Sequence, residues 1–116
     1  MNNETRPFEE SLFINQRANY ILSTLNDDLQ SSSWLLTNGI HKIGRLNDKE
    51  IILDDVTVSR NHAYISVDDN KLSITDEGST NGIFVNGELV KEAELISGTR
   101  LQIGKYYLIV STVDAK

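Results

Sequence analysis

The sequence predicts an all-β protein, a two-sheet sandwich preceded by a flexible tail. Three observations lead there. From Ala18 onward, short segments rich in β-branched and aromatic residues are divided by clusters of Asn, Asp, Gly and Ser, the texture of sandwiches and barrels. In the clearest of them, Ala63, Ile65 and Val67 alternate with Tyr64 and Ser66, so one face turns to a core at period two. No segment of the body carries a convincing helical period. Roughly ten short strands in about a hundred residues cannot form one flat sheet, and two packed sheets are the economical solution.

Residues 1–17 read as the tail: they are polar, acidic at Glu4, Glu9 and Glu10, and hold the only proline, Pro7. Phe8, Leu12 and Phe13 stand at helical spacing, but so short a piece is marginal as a helix alone in water. They call for a partner surface, either the sandwich itself or a second copy. Tyr20 to Leu25 reads as the first strand and Asn26-Asp27-Asp28 breaks it. Ser33 to Leu36 is the next strand, with a bend at Asn38-Gly39. His41-Lys42-Ile43 leads into Gly44-Arg45, and a loop then precedes Ile51-Ile52-Leu53. Asp54-Asp55 opens a long loop through His62. After the strand from Ala63, Asp68-Asp69-Asn70 turns the chain and Leu72 and Ile74 alternate back as a hairpin. Asp76 to Asn81 is another loop, followed by Ile83-Phe84-Val85. Asn86-Gly87 is a strong hairpin signal before Leu89-Val90. Beyond the turn Ile96-Ser97-Gly98-Thr99, the series Leu101, Ile103, Tyr106, Leu108 and Val110 reads as one pattern with a kink or bulge at Gly104.

With 116 residues the chain is one domain's worth, long enough for a real core. Seventeen acidic against eleven basic residues leave a net charge of −6, so the surface as a whole repels nucleic acid and anionic membrane. Any anion site must be local. No cysteine is present, which excludes disulfides, thiol chemistry and cysteine-based zinc sites. No run approaches a bilayer span and the N-terminus lacks the features of a signal peptide, so a cytoplasmic location is expected.

Three polar islands carry the functional signal: Ile43-Gly44-Arg45, Val58-Ser59-Arg60-Asn61-His62 and Ser79-Thr80-Asn81-Gly82. Each is rich in groups that hydrogen-bond an anion, and each is flanked by strand-like residues, so the loops should gather at one end of the sandwich. A phosphothreonine brings about −1.5 to −2 charges and three acceptor oxygens, and needs a guanidinium fork with hydroxyl or amide donors. Arg45, Ser59 and Thr80 are those residue types.

Together with Val85-Asn86-Gly87, Gly98 and Ile103-Gly104, these islands resemble in order and spacing the motifs of forkhead-associated (FHA) domains, over about residues 18–113. As a set the match is highly specific. The resemblance implies an FHA-type sandwich of about eleven strands spanning residues 18–116, in which loops at one end bind phosphothreonine. It implies that Arg45 and Ser59 contact the phosphate, that Arg60 lines or contacts it, that Thr80 sits beside the phosphothreonine and that Asn81 holds the peptide backbone. Gly44, His62 and Asn86 match positions that brace the loops. Ile83 and Thr99 stand where the family often has Thr and Asp. No cofactor and no metal are implied.

Within the family, Leu53 to Arg60 and Ile103-Gly104-Lys105 look most like the small actinobacterial regulators of glycogen accumulation and of oxoglutarate dehydrogenase. In those, a phosphorylated tail threonine followed three residues later by Phe is bound by the protein's own domain. Glu4-Thr5-Arg6-Pro7-Phe8 resembles that segment, with a single threonine where those tails have two. The resemblance therefore implies Thr5 as a phosphorylation site, a Ser/Thr protein kinase as partner, and metabolic enzymes, 2-oxoglutarate-metabolising ones among them, as targets. The alternative is an adaptor that recruits phosphorylated kinases or other phosphoproteins in trans. Ser59, His62 and Asp55 could also be arranged as nucleophile, base and orienter, but Ser59 lies in no Gly-x-Ser-x-Gly elbow, and the expectation is a protein that is not an enzyme.

Overall fold

A computed structural model describes residues 20–25 and 31–113. The strands are β1 (Tyr20–Thr24), β2 (Ser33–Leu36), β3 (Gly39–Gly44), β4 (Ile51–Ile52), β5 (Ala63–Asp68), β6 (Lys71–Asp76), β7 (Ile83–Val85), β8 (Glu88–Val90), β9 (Glu92–Leu95), β10 (Arg100–Ile103) and β11 (Tyr106–Thr112). They form a six-stranded sheet in the order β2-β1-β11-β10-β7-β8 and a five-stranded sheet in the order β4-β3-β5-β6-β9. No helix occurs among the described residues, and none is long and apolar enough to cross a membrane. Every pairing is antiparallel except β3 with β4. The expected tail, its boundary at residues 17 and 18, and the break at Asn26-Asp27-Asp28 lie outside the described residues.

Period-two alternation builds the core. Ile65 lies opposite Ile74 and Val67 opposite Leu72, and all four are buried. The other sheet answers with Leu22, Leu101, Ile103, Leu108 and Val110, likewise buried. Each such Leu or Ile contributes about 1.5–3 kcal/mol when fully buried, which is what fixes the register. A one-residue slip would carry a whole set to solvent.

The turns follow local chemistry. Asn86 and Gly87 both have positive φ, 50° and 87°, as a two-residue type I′ hairpin requires. Thr99 is buried, and its Oγ1 accepts a bond from the Ile96 N–H at 3.0 Å, closing the turn across Gly98. Ile83, the other departure from the family pattern, is fully buried in the core.

Two details differ from the sequence expectation. Gly104-Lys105 is a hairpin turn that joins β10 to β11, with Ile103 directly opposite Tyr106, and not a kink within one strand. The three-residue step from Ile103 to Tyr106 is what a two-residue loop leaves when both flanking side chains face the core. β9 was not expected at all, because Glu92-Ala93-Glu94-Leu95 has little strand propensity. It pairs with β6 at the edge of its sheet, where exposed glutamates guard against further strand addition.

Candidate functional site

The three polar islands meet at one end of the sandwich because β3, β5 and β6 are neighbours in one sheet. Gly44 ends β3 where the Arg60 carbonyl passes over it. A Cβ there would fall 2.0 Å from that oxygen, so no side chain is admissible. The close approach lets the Arg45 N–H bond the Ser59 carbonyl at 3.1 Å, while Arg45 Nε donates to the Val58 carbonyl at 3.0 Å. The guanidinium is thereby oriented through Nε, and its terminal donors are left for an anion.

His62 is fully buried and joins the islands. Its Nδ1 accepts the Ser59 backbone N–H at 3.0 Å, so the ring proton sits on Nε2, which donates to the Gly82 carbonyl at 2.9 Å. Its own backbone N–H bonds the Ile43 carbonyl and its carbonyl accepts from Glu77. Ser59 Oγ accepts the Thr80 N–H at 3.0 Å, leaving the hydroxyl proton for a ligand. The arrangement contains no nucleophile–base pair: the histidine meets the serine backbone, and the Asp55 carboxylate is engaged by Thr57.

The loop that carries Thr80 and Asn81 is organised by Asp76. Its carboxylate accepts from the N–H groups of Gly78 and Ser79 and from the Ser79 hydroxyl, and Ser79 Oγ accepts the Gly82 N–H at 2.8 Å. Burial pushes the Asp76 carboxyl up, but the bonds from Ser79 and Gly78 outweigh it and hold it below its usual value. Asn81 Nδ2 donates to the Thr57 carbonyl at 2.9 Å, bridging the second and third islands.

A second fastening lies on the outside of the 53–62 loop. Asp55 accepts the Thr57 N–H at 2.9 Å and the Thr57 hydroxyl at 2.5 Å, Lys105 Nζ lies 3.2 Å from its other oxygen, and Thr57 Oγ1 accepts the Lys105 N–H at 2.9 Å. The Thr57 bonds, with help from Lys105, hold the Asp55 carboxyl down at about 2. Gly104 has φ 59°, and a Cβ there would stand 2.5 Å from Thr57 Oγ1, so the β10–β11 turn packs directly on this loop.

Arg45, Thr57, Ser59, Arg60, Thr80 and Asn81 line a depression of about 380 Å³. Its wall holds two arginines and the hydroxyl residues Ser59 and Thr80, a donor set that suits a compact multivalent anion. Gly44 and His62 lie behind it. Asn86 does not join them: in the β7–β8 turn its N–H and Oδ1 bond the carbonyl and N–H of Arg100, fastening the hairpin to β10. Thr5 lies outside the described residues. Sequence reasoning passed over Asp76 with Ser79, and Asp55 with Thr57 and Lys105. The spacings Asp-x-x-Ser and Asp-x-Thr, with a carboxylate able to cap following N–H groups, are the signals that could have found the two caps but not Lys105. Among the described residues no group of three or more His, Cys, Asp or Glu gathers as a metal site would require.

Residues 41–104 match the family model of the FHA domain. The glycogen accumulation regulator GarA of Mycobacterium tuberculosis is 46% identical over 81 residues, 70% of this chain and 50% of that protein. The oxoglutarate dehydrogenase inhibitor of Corynebacterium jeikeium is 41% identical over 78 residues, 67% of this chain and 54% of its own. This chain thus spans about half the length of the curated relatives it matches. Among solved structures, the FHA domain of the CT664 protein from Chlamydia trachomatis superposes with a TM-score of 0.78 at 24% identity, covering 84% of this chain and all of that one. An FHA domain solved in a study of phosphothreonine-dependent FHA interactions gives 0.77 at 32% identity, covering 84% and 99%.

Proposed function

We infer the function from one secure premise: this chain belongs to the FHA domain family. It is a phosphothreonine-binding regulatory protein without catalytic activity of its own, and phosphorylation of its N-terminal tail at Thr5 switches it. The observation that carries this reading is the depression lined by Arg60 in which Arg45, Ser59 and Thr80 are already held by bonds from behind. Preorganised donors need no reordering when the anion arrives. Arg45 and Ser59 bind the phosphate, Arg60 flanks it, Thr80 stands beside the threonine and Asn81 contacts the peptide backbone. The threonine methyl adds only about 0.8 kcal/mol by burial, and stiffness at χ1 helps fix the rotamer.

Residues 1–17 serve as the regulatory tail and residues 18–116 as the FHA domain. A Ser/Thr kinase modifies Thr5, the phosphothreonine enters the depression, and the loops are closed to partner enzymes. Relatives named for inhibition of oxoglutarate dehydrogenase make 2-oxoglutarate-metabolising enzymes the partners to try first. A short tether gives an effective concentration near millimolar, so a separated tail binding at ~1 μM would close the intact chain by ~1000 to 1.

Titration of a phosphothreonine peptide of residues 1–10 into Thr5→Ala protein tests the site. Arg45→Ala should lower affinity at least about 30-fold and Ser59→Ala about tenfold, both with an unchanged fold by circular dichroism. Retained affinity in Arg45→Ala would sink the assignment. Amide spectra of the chain carrying phosphothreonine at position 5 test the switch: concentration-independent shifts at Arg45, Ser59 and Thr80 establish self-binding. Shifts confined to the tail would favour an adaptor that takes phosphoproteins in trans.

A further inference from the structure

We propose that the outer face of the six-stranded sheet is the track along which residues 8–14 lie when Thr5 reaches the anion depression. The proposal rests on the self-binding reading and says where the connecting chain goes. The β10–β11 turn packs on Thr57 beside the depression, so β11 starts at the site end and finishes at the far end with Thr112. Tyr20 lies opposite Thr112. The chain before β1 therefore enters the sandwich at the end remote from the site, and Thr5 must cross a face about 20 Å long, the length of β11 at ~3.3 Å per residue. Residues 6–19 have a flexible r.m.s. span of about 20 Å and an extended reach of roughly 46–50 Å, so the crossing matches the relaxed span and lies well within reach.

The two outer faces differ in chemistry. On the five-stranded sheet the outward positions include Lys42, Tyr64, Ser66, Ser73, Glu92 and Glu94, and Lys42 is already paired with Glu77. Ile40 and Ile52 are also exposed there, but Glu92 and Glu94 would repel Glu9 and Glu10. On the six-stranded sheet, Leu35 lies opposite Ile21 and Gln102 between Tyr107 and Phe84; Leu35 is 62% and Tyr107 53% exposed.

This apolar ground is continuous with the site. A depression of about 350 Å³ shares Thr57 and Asn81 with the anion site and contains Phe84 and Gln102. Those two residues also line a depression of about 390 Å³ whose wall includes Tyr107 and Arg100. Arg100 is exposed and makes no ion pair among the described residues. The sequence supplies a matching strip: apolar Phe8, Leu12, Phe13 and Ile14, interrupted by Glu9-Glu10. The carboxylates meet Arg100 while the apolar residues cover Phe84, Tyr107, Ile109 and Leu35.

The chain has no cysteine, so a nitroxide on Leu12→Cys gives a single label. In the 116-residue chain bearing phosphothreonine at position 5, the label should broaden the amides of Phe84, Arg100, Tyr107 and Ile109 and spare those of Tyr64, Ser66 and Ser73. Arg100→Glu should loosen closure, raising the apparent affinity for an added phosphothreonine peptide of residues 1–8, which lacks Glu9 and Glu10, about tenfold, with no change in a Thr5→Ala background. If phosphorylation leaves Arg45 and Ser59 unshifted, the self-binding reading fails and takes the track with it. If they shift while both faces broaden alike, self-binding stands and the track alone is refuted. Broadening of isotope-labelled chains that lack the nitroxide would assign the face to a second copy. An Arg100→Glu effect of equal size in the Thr5→Ala background would place that residue in the pocket; either result overturns the proposal.

Discussion

The loop from Leu53 to His62 is held from two sides, and the two fastenings differ in kind. Behind it, His62 has no solvent exposure and satisfies the Ser59 N–H of the loop itself and the Gly82 carbonyl of another segment. In front of it, Asp55, Thr57 and Lys105 make four polar contacts, but the lysine side chain is 60% exposed. Water can replace what the outer fastening does and cannot reach what the inner one does. The asymmetry of hydrogen-bond energetics then ranks them: a buried group left unpaired costs its full desolvation, whereas an exposed one is rehydrated.

The largest effect is expected one layer further in, at Gly44. Gly44→Ala puts a methyl 2.0 Å from the Arg60 backbone oxygen, and backbone cannot step aside as a flexible side chain can. The loop must move, at a cost of about 3 kcal/mol or more, and the depression opens with it. Urea denaturation and phosphopeptide titration should both register the change. Native-like binding in Gly44→Ala would show that the loop is far more compliant than its close approach implies.

His62→Ala comes next. It strands the Ser59 N–H and the Gly82 carbonyl and leaves a cavity, together costing about 2–4 kcal/mol. Because the same ring positions Ser59 and, through Gly82, the Thr80 loop, phosphopeptide affinity should fall although His62 does not line the depression. Stability lost with affinity intact would reduce His62 to a packing residue.

How much of this was legible in the sequence follows the same division. Alternating runs such as Ala63 to Val67 and turn pairs such as Asn86-Gly87 announce strands and hairpins because their signals are local. β9 was not legible, because Glu92 to Leu95 is a strand by virtue of its neighbour β6 and not of its own propensity. The residue types of the depression were readable from three polar islands, since anion chemistry narrows the choice. The supports were less so. The Asp76–Ser79 cap is a short-range motif that was readable in principle, but Thr57 meets Lys105 across 48 residues. Nothing in the spacing of either residue points to the other.

The outer fastening gives the smallest and most specific prediction. The Asp55 carboxyl is held at about 2, below an unfolded value near 3.9. A depressed acid contributes stability that is complete above the unfolded pKa and is lost as pH falls through the folded one. Its contribution should therefore be flat from neutrality down to about pH 4 and vanish toward pH 2. Asp55→Asn keeps the shape and removes the charge, so the variant should denature slightly earlier than the parent in urea at pH 7, and the two midpoints should converge over that window. If the gap persists at pH 2, Asp55 acts through packing and not through its charge. If no gap exists at pH 7, Thr57 and Lys105 hold the loop without it, and the inner fastening at His62 alone sets the geometry of the site.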